Sequence, residues 1–352
     1  MTMLTNLTKR LKTGTALQSI GLIAIILGIS ISMQISNGNF LSSANLEVMA
    51  MNLIFEGIMA IGMTFVIIGG GIDLSVSGVF PFAEIIVAKL MVQAGLPVVP
   101  AIMITLTLCL GIGLLNATLI NLLRVHPMVI TMGMMLTLRG INLAITNGRS
   151  IAGFSDEFIF LGQGKLLGIN LPIVFFIVAA IILGYLLKNH PYFRQLYFIG
   201  GGERAARLSG VKVGQVKSVV YMLSALLAGI AGVMAAAQYG AAHWSHGNLS
   251  ELKAIAAVAI GGADVNGGSG NVFGTVLGIS FLAVVHNAFV SSGINTFWYD
   301  AVNGLMLLIA ILFSKYIERK NVAAVLRVKQ MKLDEASGKG GSPPAGMAEA
   351  RS

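Results

Sequence analysis

About ten stretches of this chain approach the ~20 consecutive apolar residues an α-helix needs to cross a bilayer, and no other feature constrains its fold as strongly. They run at about 15–35, 46–69, 74–94, 99–123, 126–146, 170–188, 216–238, 252–263, 270–292 and 296–314. In hydrocarbon every backbone N–H and C=O must find a partner within the protein, so these stretches predict an all-α integral membrane protein. Composition agrees: 56% of the residues are hydrophobic and 11% charged, about half the charge of a soluble domain. The first stretch follows Lys9, Arg10 and Lys12 in the manner of a signal peptide. It is too long for one and no small-x-small site closes it, so it reads as a retained first helix.

The net charge of +9 is explained by where the charges fall. With the N-terminus inside, the inner segments carry Lys9, Arg10, Lys12, Arg124, Lys188, Arg194, Arg204, Arg207, Lys212, Lys217 and eight Lys and Arg from Lys315 onward, whereas the outer loops carry Arg149 and Lys165. That asymmetry follows the positive-inside rule and places both termini in the cytoplasm. A nucleic-acid partner is therefore not expected. The domains read as a cytoplasmic N-terminus (1–14), a transmembrane domain (15–315) containing a basic cytoplasmic loop (189–215), and a Gly-, Ser-, Pro- and Ala-rich cytoplasmic tail (316–352) whose composition predicts disorder. Residues 147–169 face outward and are apolar enough to fold back as a lid or short helix.

Val66-Ile67-Ile68-Gly69-Gly70-Gly71-Ile72-Asp73 is echoed by Val258-Ala259-Ile260-Gly261-Gly262-Ala263-Asp264. Both follow apolar runs that travel outside to inside. The echo predicts two pseudo-repeated halves with broken helices at corresponding positions, a device of transporters. Asp73 and Asp264 are expected to cap the half-helices that follow, with a direct contact to a hydroxylated solute as a second role.

Gly200 to Ala205 satisfies G-x-G-x-x-A, the dinucleotide fingerprint, but no acidic residue follows at the ribose distance and a spanning segment replaces the βαβ unit. Between Gly202 and Gly210, Glu203-Arg204-Ala205-Ala206-Arg207-Leu208-Ser209 instead predicts a short cytosolic helix with an acidic start, as the helix dipole favours. Ala205 and Leu208 share one face, and Arg204 and Arg207 another. No nucleophile elbow, P-loop or zinc signature occurs, so catalytic and metal residues are expected to be none. His243 and His246 could share a metal by spacing, but without a third ligand they read as a solvated outer loop. Cys109 reads as a small buried hydrophobe. Glu56, Asp73, Glu84, Lys89, Arg139, Lys253 and Asp264 lie inside spans, where each would cost about 2–4 kcal/mol facing lipid and so should face the bundle. Glu84 and Lys89, five apart, point to different faces.

GGERAARLSG, YMLSALLAGIAGVM, SELKAIAAVAIGG, GGSGNVFGTVLG and INTFWYDAVNGLMLL, with GGGIDLSVSG and MVITMGMMLTLRGINLAITNGRSI in the first half, together resemble the permease subunits of bacterial ATP-binding cassette importers for ribose, xylose, arabinose, galactose and related sugars. Relatives carrying the furanose-like signal autoinducer-2 fall in the same resemblance. It implies an inner-membrane permease that pairs with a second permease protomer, an ATPase subunit holding ATP and magnesium, and a periplasmic sugar-binding protein, with no cofactor in this chain. It also implies that Glu203, Ala205, Ala206 and Gly210 belong to the segment that couples to the ATPase. Ser75, Phe297 and Trp298 join Asp73 and Asp264 as pathway candidates. The chain differs from the family pattern in the order Ser77-Gly78 and in Lys253, where an acidic residue is usual. An ion-coupled carrier or channel for small polar solutes is the rival reading.

Overall fold

The computed structural model describes residues 2–293 together with 298, 301–302, 304–306, 308–309 and 312. Among them are twelve α-helices: α1 (Thr2–Asn37), α2 (Ser43–Ile68), α3 (Val76–Ala88), α4 (Val98–Leu123), α5 (Pro127–Thr146), α6 (Asp156–Gln163), α7 (Leu171–Asn189), α8 (Pro191–Gly201), α9 (Glu203–Leu208), α10 (Val213–Tyr239), α11 (Ser250–Ile260) and α12 (Val272–Ser291). One π turn, Lys89–Gln93, continues α3. Strands of two residues pair antiparallel, β1 (Ile151–Ala152) with β4 (Ala241–Ala242) and β2 (Lys165–Leu166) with β3 (Ile169–Asn170).

Eight helical segments among the described residues are long and apolar enough to span a bilayer: Gln18–Asn37, Ser43–Ile68, Val76–Gln93, Val98–Leu123, Pro127–Thr146, Leu171–Asn189, Val213–Tyr239 and Val272–Ser291. The expected stretch at 252–263 is α11, a shorter member whose eleven residues reach only about 16 Å, less than a bilayer core. The expected span at 296–314 and the tail lie largely or wholly outside the described residues.

The echoed motifs adopt the same backbone. After α2, Gly70 N–H bonds the Ile67 carbonyl and Gly71 N–H that of Val66; after α11, Gly262 N–H bonds Ala259 and Ala263 N–H bonds Val258. These are two Schellman stops in identical register, with Gly70 at φ +76° and Gly262 at φ +91°, left-handed values that glycine adopts without strain. Two helices that would otherwise run on are therefore broken at equivalent places.

Helix starts follow ordinary capping chemistry. Ser42 Oγ accepts from Asn45 N–H, His126 Nδ1 from Met128 N–H beside Pro127, and Asn271 Oδ1 from Gly274 N–H at 2.7 Å. The expectation that Asp264 caps the next helix is thus corrected, because α12 starts eight residues later and Asn271 does that work. Hydroxyls inside spans, such as Thr64, Thr105 and Ser218, donate to carbonyls four residues back and need no external partner.

Helix α10 is central, packing on α2, α3, α4 and α6. Small residues make this possible: a Cβ at Gly113 would lie 2.6 Å from the Tyr221 carbonyl, and one at Gly229 would lie 2.7 Å from the Cys109 sulfur. Cys109 is fully buried there as a packing residue. The 147–169 segment does contain a short helix, α6, which seats Phe158 fully buried and leans on α10.

Candidate functional site

One end of the bundle gathers the stops of α2 and α11, the α4–α5 turn and the α8–α9 segment. Here Gly268 N–H donates to the Ile68 carbonyl at 2.9 Å, with Gly200 wedged against both. A Cβ on Gly200 would fall inside the contact distance of the Ile68 oxygen and the Gly268 nitrogen, so this glycine serves a backbone crossing. The residues before it form α8, whose Leu196 and Ile199 are buried, and no strand precedes the glycines. The dinucleotide pattern fails for a structural reason as well.

Helix α9 begins at Glu203 and ends in a Schellman turn at Gly210, φ +84°, with Val211 N–H on the Ala206 carbonyl. Glu203 is clamped by Lys217 Nζ at 2.6 Å and Arg207 at 2.6 Å. Partial burial would raise the Glu203 carboxyl, but the hydrogen bonds and charges of Lys217 and Arg207 outweigh it and hold it below the usual carboxylate range. Ala206 is buried against the bundle, whereas Ala205 and Arg204 face out and Leu208 is 83% exposed. Ser209 Oγ bonds back to the Ala205 carbonyl. The helix stands between two open cavities. One, of about 670 Å³, is lined by Gly70, Asn121, Arg124, Glu203, Arg207 and Lys217; the other, of about 710 Å³, by Tyr197, Phe198, Ala205, Ala206 and Ser209. The opposite end carries β1–β4 and the 147–170 segment with Arg149 and Lys165, so the charge separation read from the sequence coincides with the two ends of the bundle.

The pathway candidates do not converge. Asp73 and Ser75 are fully buried in the break between α2 and α3, where Asp73 Oδ1 accepts from Ser75 N–H at 3.1 Å and from its hydroxyl, and Asn116 Nδ2 donates to that hydroxyl at 2.9 Å. Asp73 closes a turn one residue ahead of α3 and does not cap the helix itself. Asp264 is half-buried in the other break, accepting from Asn266 N–H. Trp298 is 65% exposed, and Phe297 lies outside the described residues.

Two ionic clusters were not legible in the sequence as pairs. Arg139 of α5 reaches Glu251 of α11 at 3.3 Å. Glu84 of α3 accepts from His243 N–H at 3.2 Å and pairs with His246 Nδ1 at 2.8 Å, so the histidine loop is folded onto the bundle and is not the solvated loop expected. Glu84 and Lys89 do diverge, Lys89 Nζ reaching the Ile145 carbonyl. The hydrogen bond to Glu84 raises His246 above the ordinary imidazole range although burial opposes it, and burial with the charge of His246 lowers His243. A raised folded-state value means that the contribution of the His246 charge is complete below the unfolded value and is lost as pH climbs through the folded one. The melting midpoint of the purified chain should therefore decrease as pH rises above the ordinary imidazole value of about 6.5, and His246→Gln should flatten that profile. An unchanged profile in the variant would remove the charge from the account.

The model of the family described as branched-chain amino acid transport system / permease component matches residues 45–311. The chain is 34% identical to the ribose import permease protein RbsC of Bacillus subtilis (strain 168) over 309 residues, 87% of this chain and 96% of that protein. It is 34% identical to RbsC of Escherichia coli (strain K12) over 83% of this chain and 91% of that protein, and 30% identical to the D-allose transport system permease protein AlsC of the same strain over 80% and 86%. No solved structure matches the chain. With helices long enough to span, two matched helix breaks and a family match over most of its length, the chain belongs to the branched-chain amino acid transport system permease component family.

Proposed function

We propose that the chain is the pore subunit of an inner-membrane ATP-binding cassette importer that passes a monosaccharide inward, both termini lying in the cytoplasm. The observation that carries this reading is α9: a six-residue helix outside the apolar spans, at the basic end of the bundle, with Ala205 and Leu208 turned outward between two cavities. That is the form expected of a segment gripped by a separate ATPase. In this reading Glu203, Arg204, Ala205, Ala206, Arg207, Leu208, Ser209 and Gly210 transmit closure of the ATPase pair to α8 and α10. ATP and magnesium are held by that partner, and a periplasmic binding protein delivers the solute to the opposite end. Relatives named for ribose and allose support a sugar over the amino acid in the family description.

The chain should be reconstituted in proteoliposomes with an ATPase and a binding protein, and uptake of D-ribose, D-allose and L-arabinose followed. ATP-dependent uptake of at least one is the expected result. Uptake by the chain alone, driven by a sodium or proton gradient, would replace the importer with an ion-coupled carrier.

A further inference from the structure

Helix α4 ends at Leu123 after 26 residues, about 39 Å, which is long enough to carry Arg124 past a ~30 Å hydrocarbon core to headgroup level. Arg124 closes the helix in the left-handed conformation, φ +53°, its N–H on the Ile120 carbonyl. Glycine or asparagine would make that turn at less cost, so the turn itself does not call for an arginine. The side chain lines the open cavity of about 670 Å³ beside α9, together with His126, Arg207, Lys217 and Glu203. Three cations against one carboxylate leave two positive charges in excess. Arg207 and Lys217 already share Glu203 at 2.6 Å each, whereas the Arg124 guanidinium makes no hydrogen bond or ion pair with the described residues. His126 adds a donor, because its Nδ1 accepts from Met128 N–H and the neutral ring then carries its proton on Nε2.

The second observation is apolar. Leu122, two residues before Arg124, is 73% exposed, and Val129, just past the turn into α5, is exposed as well. Leu115 lies seven residues before Leu122 and Met132 three after Val129, so each pair shares a helix face, and both are exposed. A basic cavity at headgroup level that borders an exposed apolar face has the two-part chemistry of a lipid and not of a soluble anion.

We propose that this cavity holds the headgroup of an anionic phospholipid, its phosphodiester on Arg124 and His126 and its acyl chains along Leu115 and Leu122 of α4 and Val129 of α5. The inference is independent of the transported solute and of the importer reading, and needs only that the helices span a bilayer. A guanidinium fork takes two phosphate oxygens at once, which suits a phosphodiester. Glu203 is the unfavourable group in the wall, and its two clamping cations offset it. A choline headgroup carries its own cation, which the excess positive charge repels, so phosphatidylglycerol is selected over phosphatidylcholine. Bound there, the lipid ties the α4–α5 turn to the Glu203 clamp and so links the bilayer to α9.

The full chain, purified in detergent, is given equal amounts of phosphatidylglycerol and phosphatidylcholine, and the lipids retained are counted by native mass spectrometry. Phosphatidylglycerol should be retained in about tenfold excess or more, as two uncompensated charges imply. Arg124→Gln should cut that excess about fivefold, the effect of one lost cation near the lipid, and Arg124→Lys should restore most of it. Equal retention of the two lipids by the native chain would overturn the proposal whatever the variants do. An excess untouched by Arg124→Gln would overturn the site. Displacement of phosphatidylglycerol by inorganic phosphate, beyond that given by sodium chloride of equal ionic strength, would make the cavity a free-anion site. Its complete displacement when the ATPase is assembled on the chain would give the cavity to that protein, and either result overturns the lipid.

Discussion

Replacement of Glu203 by lysine is expected to cut ATP-driven uptake at least about tenfold while leaving membrane insertion intact. The reasoning starts from the clamp. Glu203 is the first residue of α9 and accepts from both Arg207, four residues on, and Lys217 at the start of α10. A lysine there puts three cations together at a helix N-terminus, where positive charge is already disfavoured. The pair with Arg207 is exposed and the carboxylate is 40% accessible, so the cost to global stability should stay near the ~1 kcal/mol of surface pairs. A loss of transport far larger than the loss of stability is the signature of a segment that transmits force. Uptake, ATP hydrolysis stimulated by the binding protein, and the amount of chain in the membrane should be measured together. Unchanged uptake would sink the coupling assignment. Leu208→Asp should give the same pattern through the exposed face, because Leu208 buries little in the chain by itself.

At Gly200, alanine should destabilise the folded chain by about 3 kcal/mol or more, the upper range for overpacking, because the atoms it meets are backbone and cannot rotate away. Gly201, its neighbour, has open space around its Cβ direction, and Gly201→Ala should be tolerated. Melting midpoints of the two variants and the yield of monodisperse protein decide the matter. Equal behaviour would mean that the crossing of Gly200 with Ile68 and Gly268 is not tight in solution.

Much of the architecture was legible in the residues. Length and apolarity located the spans α1 to α5, α7, α10 and α12, since both follow from local hydrogen bonding and bilayer thickness. The echo of GGGID and GGAD announced two helix breaks, and their Schellman geometry is local, requiring only a glycine at the left-handed position. Glu203 to Gly210 showed itself as a helix by the same local rules. Asp264 misled because an acidic residue after glycines looks like a cap, yet α12 starts beyond it, where Asn271 takes that role. The hydropathy of 252–263 says nothing of where Gly261 and Gly262 stop the helix, so the shortness of α11 was settled only by the structure.

What the sequence by itself determined is the set of elements: apolar helices, their breaks, the short helix that starts at Glu203 and the separation of charge between two ends. Tertiary structure alone decided which of them meet. Glu84 and His246 are separated by 162 residues, Arg139 and Glu251 by 112, and Glu56 reaches Lys253 from another helix altogether. No periodicity or spacing encodes such partners. A buried charge is stabilised by whatever the packed neighbour presents, and which neighbour that is depends on how closely small residues such as Gly113 and Gly200 let backbones approach.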